Sequence, residues 1–237
     1  MNIGGIQTAK AGPFDVHSTR YDQWFDVHRA AYVSELLALR TLIPWSVNGL
    51  EIGVGTGRFA APLGVSVGID PSDAMLTHAA ARGVETVKGL AEALPFPDGS
   101  FDCTLVVTTI CFVRSPERML AEARRVLRLD GKLVIGFINR QSEIGRGYLE
   151  HQSKSVFYRE AMFYSASEVG ELLDAQGFKA RTWGQTLFRP LAEITEVEPV
   201  RPGTREGAFV VVLADRTSNV VRNIWSSMSP QPYWSTA

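Results

Sequence analysis

Three glycines spaced two apart, Gly53, Gly55 and Gly57, follow an apolar run in "LEIGVGTGRFA" (50–60). An acid, Asp70, ends the next apolar run, 17 residues beyond Gly53 (70 − 53). A glycine-rich turn after a strand lets a ligand lie against bare backbone N–H groups. A carboxylate closing the second strand is placed to accept hydrogen bonds from both hydroxyls of a ribose, and it disfavours a 2′-phosphate. The two features together suit an adenosine cofactor. The dinucleotide fingerprint G-x-G-x-x-G asks for glycine at position 58, where this chain has Arg58. Only "RFAAPLG" separates Gly57 from the second strand, and Pro62 interrupts it. A full helix N-terminus aimed at a pyrophosphate is therefore poorly supported. On these residues alone, a nucleoside site, an NAD site and a tight βα turn all stay open.

A third segment, "GLAEALPFPDGSFD" (89–102), is held extended by Pro95 and Pro97 and turns at "PDG". Leu90 and the Ala91 backbone N–H are placed to flank an adenine ring. The plain alternative is a surface connection with Glu92 solvated. Other chemistries are disfavoured by the residues. His17, His28, His78 and His151 lack metal-ligand spacing, and the two cysteines, Cys103 and Cys111, form neither a CxxC pair nor a disulfide framework, so no metal is expected.

Strands and helices must alternate to bring these segments together. Strands are read at 47–53, 65–70, 84–89, 101–109, 131–138, 178–188 and 207–215, with 47–53 short and buried, 84–89 weak and 101–109 apolar enough to be covered on both faces. Helices are read at 71–83, with Ser72 or Asp73 as cap and Gly83 as stop, and at 115–131, capped by Ser115 and closed by Gly131. Another spans 165–178, where Ser165 and Glu168 form a capping box. One helical region is read from Tyr21 to Arg40, with Trp24, Phe25, Tyr32, Val33, Leu36 and Leu37 on its apolar face and Pro44 ending it. Such alternation predicts a mainly parallel sheet covered on both faces, with ligands beyond the carboxyl ends of its strands. That places 53–58, 70–71, 89–92, 108–112 and 138–140 around one crevice.

Net charge limits the partners. The chain has 24 Lys+Arg and 25 Asp+Glu in 237 residues, a formal charge of −1, without a basic run. No nucleic acid or anionic membrane is expected as partner. The absence of a signal-like N-terminus and of a membrane-length apolar run leads to a reduced, cytoplasmic protein as the expectation. No feature sets an oligomeric state.

Taken in order, "LEIGVGTGRFA", "GIDPSDAML", "GLAEALPFPDGSFDCTLVVTT" and "MLAEARRVLRLDGKLVIG" resemble class I S-adenosylmethionine-dependent methyltransferases. Within them the chain is most similar to the small-molecule branch with the ubiquinone/menaquinone-type enzymes. The resemblance is strong over roughly 47–138. It implies an α/β, Rossmann-like, seven-stranded, mostly parallel sheet with an antiparallel last strand. It implies S-adenosyl-L-methionine as cofactor and a small-molecule methyl acceptor. Glu51, Gly53 and Gly55 would surround the methionine moiety, with Gly57 shaping the turn. Asp70 would hold the ribose, Pro71 would face the adenine, and Ala91 and Glu92 would lie on its other side. Thr108 and Thr109 would stand beside the sulfonium. Many relatives carry an acid where this chain has Leu90, so the contact to the adenine amino group falls to Glu92 or a carbonyl.

The expected organisation is one domain over 1–237. It comprises an N-terminal helical cap (1–40), a cofactor-binding half (41–138), a cap insertion (139–164), a C-terminal half (165–215) and a tail (216–237) carrying Trp225 and Trp234. Tyr21, His17 and His151 are the candidates for a catalytic group, since each falls on a segment able to reach the crevice. The sequence "TTICF" stands where amino-directed DNA methyltransferases carry their D/N-P-P-Y/F/W signature, which argues against a DNA base as acceptor. The competing readings are an NAD-dependent oxidoreductase and a non-catalytic nucleoside-binding protein on the same fold.

Overall fold

A computed structural model describes residues 12–43 and 48–217. Pro44, Val47 and the tail tryptophans Trp225 and Trp234 lie outside the described residues. The elements are α1 (Gly12–Val16), α2 (Ser18–Val27), α3 (Arg29–Arg40), β1 (Gly49–Ile52), α4 (Ala60–Leu63), β2 (Val67–Asp70), α5 (Asp73–Ala81), β3 (Glu85–Lys88), β4 (Phe101–Val107), α6 (Pro116–Val126), β5 (Leu127–Ile138), α7 (Glu143–His151), α8 (Ala166–Ala175), β6 (Phe178–Thr186), β7 (Arg201–Pro202) and β8 (Phe209–Arg216).

The strands form one sheet in the order β3-β2-β1-β4-β5-β8-β6-β7. Strands β1 to β5 pair in parallel, and β8 runs antiparallel between β5 and β6. This is the Rossmann-like α/β fold expected, with one correction. Eight strands stand where seven are predicted, because the two-residue β7 adds an edge to β6. Strand order reverses between β1 and β4, and ligands in such sheets bind at that switch, beyond the strands' carboxyl ends.

Two apolar layers cover the sheet. Helices α2 and α3 pack with Val54, Phe59 and Phe209 on one face. Met119, Leu120, Ala123 and Val126 of α6 and Val169 and Leu173 of α8 pack on the other. The predicted caps of α5, α6 and α8 are present: Ser72, Ser115 and Ser165 each accept a hydrogen bond from the backbone three residues on, and Ser165 and Glu168 complete the capping box.

Two helix readings need correction. The 21–40 region is two helices, broken at His28, whose φ of −106° and ψ of 46° leave the helical region. Periodicity continues across the break, which hides it in the sequence. Leu37, read as apolar-face, is 45% exposed. The helix read over 115–131 ends at Val126, and Leu127–Asp130 begin β5 through an irregular register against Phe101–Cys103. Gly131 thus sits inside a strand rather than closing a helix.

Candidate active site

The loops after β1, β2, β3 and β4 open into one cleft, lined by Gly53, Gly55, Asp70, Pro71, Leu90, Ala91, Glu92, Thr108 and Thr109. Its outer wall is Phe14, Tyr21, Phe112 and Val113. The glycines are needed where they stand. Gly53 has φ of +74°, and a Cβ there would lie 2.3 Å from Thr109 Oγ1. Gly57 has φ of +77°, and a Cβ would lie 2.9 Å from the Ala79 Cα of α5. Gly55, at φ of +51°, has only the Tyr21 ring in reach, at 3.8 Å. Bare backbone therefore faces the cleft at Gly53 and Gly55, while Gly57 serves packing of the turn on α5.

Asp70 ends β2, and its carboxylate is fixed by two backbone donors, Gly55 N at 3.0 Å and Ser72 N at 2.9 Å. Burial pushes its pKa up to about 6, and the two N–H groups pull the other way. Across the cleft, Glu92 accepts a hydrogen bond from Arg114 N at 2.8 Å, so the loop after β3 is tied to the loop after β4. Thr108 occupies the left-handed region at φ of 52° with no glycine to make that easy. Such strain concentrates at functional sites. Here it turns the chain from β4 into a short 3₁₀ turn, Thr109–Cys111, and Cys111 Sγ donates to the Thr108 carbonyl.

Not every expected residue reaches the cleft. Glu51 lies beneath the loop, 1% exposed, and among the described residues its Oε2 has no hydrogen-bond partner. Burial raises its pKa well above the carboxylate range, Asp70 adds to that, and the Ala60 amide opposes it. His151 is exposed, its Nδ1 2.9 Å from the Gly147 carbonyl, on the outer surface of α7. His17 packs edge-on against Phe157 in a separate hollow beside Val16 and Arg159. Of the three catalytic candidates only Tyr21 meets the cleft. Burial raises its hydroxyl pKa far above tyrosine's usual value, with the neighbouring Thr108 side chain pulling the other way. A phenol held neutral positions groups rather than accepting protons.

The wall of aromatics comes from α1, α2 and the insertion. Phe14 meets Tyr21 at 5.5 Å, Phe112 at 5.0 Å and Phe157 at 5.4 Å between ring centroids. Arg58 holds this wall to the glycine loop. Its guanidinium binds Asp22 (2.8 Å) and Asp26 (2.8 Å), and Arg82 of the α5 C-terminus also binds Asp22 (2.8 Å). Arg58 is thus the residue that replaces the third fingerprint glycine, and its ion pairs tie α2 to the glycine loop. Replacing Arg58 with Ala leaves Asp22 with one cation instead of two, and costs about 1–3 kcal/mol. The expected readout is faster amide exchange across α2 and weaker cofactor binding, with the exchange of β4 and β5 unchanged.

A second cavity adjoins the first. Tyr21 and Thr108 line both, and Trp24, Phe25, Glu35, Tyr148, Phe157 and Tyr158 line only the second. Sequence reasoning singled out none of Phe14, Glu35, Tyr148 and Tyr158; Phe112 fell within the 108–112 segment placed at the crevice. Glu35 carried a usable signal: it is a charge on the buried stripe Ala31, Tyr32, Ala38, Leu39.

A strained turn after β4, a carboxylate ending β2 and bare glycines after β1 are the features of a Rossmann-like cleft suited to a nucleoside. The methyltransferase-domain family model matches residues 50–135. A solved S-adenosylmethionine-dependent methyltransferase from Thermotoga maritima, described as a possible histamine N-methyltransferase, shares 47% identity at a TM-score of 0.84, covering 87% of this chain and 99% of that one. An uncharacterized protein of Methanocaldococcus jannaschii is 43% identical over 203 residues, 86% of this chain and 98% of its own length. A ubiquinone/menaquinone biosynthesis C-methyltransferase of Hahella chejuensis is 36% identical over 101 residues, 36% of this chain and 41% of that protein. The chain belongs to the S-adenosylmethionine-dependent methyltransferases. It is an enzyme with S-adenosylmethionine as cofactor, which sets aside the NAD and non-catalytic readings. Among the described residues no helix is long and apolar enough to cross a membrane.

Proposed function

We propose that the enzyme transfers a methyl group to a small molecule held in the second cavity, by in-line displacement through the Tyr21–Thr108 junction. The observation that carries this is the junction itself: two cavities share those two residues and no others. Asp70, Gly53 and Gly55 would hold the cofactor, with Pro71, Ala91 and Glu92 about the adenine. Bare glycine backbone and a fixed carboxylate fit a methionine tail and a ribose; Glu51 supports the loop from below. The bound cofactor supplies a methyl group already activated on a sulfonium.

What remains for the protein is placement. Holding donor and acceptor in line is worth several kcal/mol of barrier. Thr108 and Tyr21 fix the gap between them, and the aromatic walls exclude water. The Thermotoga relative's description agrees with an acceptor of this size. The test is to narrow the second cavity and leave the first alone. Leu191, half-buried at the second cavity's rim, is replaced by Trp. The acceptor KM is expected to rise at least about tenfold, the cost of roughly 1.4 kcal/mol of lost binding. Affinity for S-adenosylhomocysteine should stay within about twofold. An unchanged acceptor KM would place the acceptor elsewhere.

A further inference from the structure

Glu35 is a carboxylate in an unusual place. Its residue is 4% exposed, on the inner face of α3, and it lines the second cavity. Among the described residues, no hydrogen bond or ion pair reaches its carboxylate, while the buried Glu198 is held by Phe188 N and by Arg189 Nε at 2.7 Å. A buried carboxylate without a partner is costly, and folds seldom keep one without a use.

The surroundings are aromatic and neutral. Tyr21 from α2, Tyr148 from α7 and Tyr158 from the insertion all feel the Glu35 charge, and burial keeps each phenol protonated. Arg20 at the rim is exposed, and Glu198 behind α3 is occupied by Arg189. Ser34, next to Glu35, accepts a hydrogen bond from Glu198 N at 2.8 Å, which fixes this turn of α3. Burial alone raises the Glu35 pKa, to about 8.

Resting on the methyl-transfer reading above, we propose that the acceptor is an amine, and that Glu35 binds its ammonium form and takes its proton. Aromatic faces attract a cation, and the carboxylate supplies the opposite charge. A neutral acceptor would find no charge to pair with the ionised form of Glu35, and an anionic one would be repelled by it.

The chemistry balances. The ammonium gives one proton to the Glu35 carboxylate, which frees the nitrogen electron pair. That pair forms the N–C bond as the C–S bond breaks and its electrons return to sulfur. The positive charge passes from sulfur to nitrogen. The methylated ammonium leaves, and Glu35 releases its proton to solvent.

The test reads binding and protons rather than turnover. Protein loaded with S-adenosylhomocysteine is titrated at pH 7 with 2-phenylethylamine, cyclohexylamine and N,N-dimethylbenzylamine, and with 2-phenylethanol as the uncharged control. Calorimetry in two buffers of different ionisation heat counts protons. Glu35 is mainly protonated at that pH, so amine binding should release close to one proton and 2-phenylethanol none. Glu35→Gln keeps the shape; it should weaken amine binding at least about tenfold and abolish the release, with S-adenosylhomocysteine affinity unchanged. Glu35→Asp should restore part of both. Equal binding of alcohol and amine, proton release that survives in Glu35→Gln, or binding by none of the three amines would overturn the proposal. Failure of S-adenosylhomocysteine to bind at all would instead bring down the methyl-transfer reading on which it rests.

Discussion

Replacing Asp70 with Ala is expected to weaken S-adenosylhomocysteine binding by about two to four orders of magnitude. In the proposed placement, two charge-assisted hydrogen bonds to the ribose hydroxyls would disappear, each worth roughly 1.5–3 kcal/mol. The variant also frees Gly55 N and Ser72 N, which the carboxylate now accepts from, so the glycine loop proposed to carry the methionine tail loses its tether. Titration calorimetry measures the first effect, and circular dichroism confirms the fold. A pH series adds a sign. The acid form of Asp70 cannot accept both ribose bonds, and its pKa is raised to about 6 by burial. Affinity in the wild type should therefore be flat above that value and fall as pH drops through it. Asp70→Ala should lack this pH dependence. A folded Asp70→Ala protein with unchanged affinity would place the ribose elsewhere.

The second large effect is Gly53→Ala. The added methyl group would stand 2.3 Å from Thr109 Oγ1 and 2.8 Å from Thr109 Cβ, and φ of +74° is strained for any L side chain. Left-handed backbone costs about 1–2 kcal/mol and overpacking about 1–3 kcal/mol, so a loss of roughly 2–5 kcal/mol is expected. Thr109 cannot easily withdraw, because its hydroxyl is held between the Gly53 and Val107 carbonyls, at 3.2 and 3.0 Å. For a chain of this size that is a fall in Tm of about 5–15 °C. Adding Thr109→Ala removes two of the three clashing atoms and should recover part of the loss, a non-additive pair. Full additivity would show that the two side chains do not meet.

These positions explain what the sequence made legible. The glycine loop, Asp70 and the proline-held loop after β3 act through local geometry, so type and spacing alone mark them. The serine caps were legible for the same reason. Long-range packing was not. The break at His28 leaves no mark on the periodicity of α2 and α3. The helix read to Gly131 overran because Leu127 continues the stripe of α6 while pairing as strand with Phe101. The second cavity is assembled from α2, α3, α7 and the insertion, far apart in sequence, so only Glu35 hinted at it, as one charge in an apolar row. Arg58 was read by what it is not, a third glycine. Its ion pairs with Asp22 and Asp26 span 36 and 32 residues and appear only in three dimensions.

In the proposed arrangement the transferable methyl group faces the second cavity between Tyr21 and Thr108. A crystal structure with S-adenosylhomocysteine tests it most directly. The ribose is expected on Asp70, the adenine between Pro71 and Ala91, and the sulfur beside Thr108 with its vacated methyl direction pointing past Tyr21 toward Glu35. A sulfur directed to solvent, or a ribose away from Asp70, would contradict it.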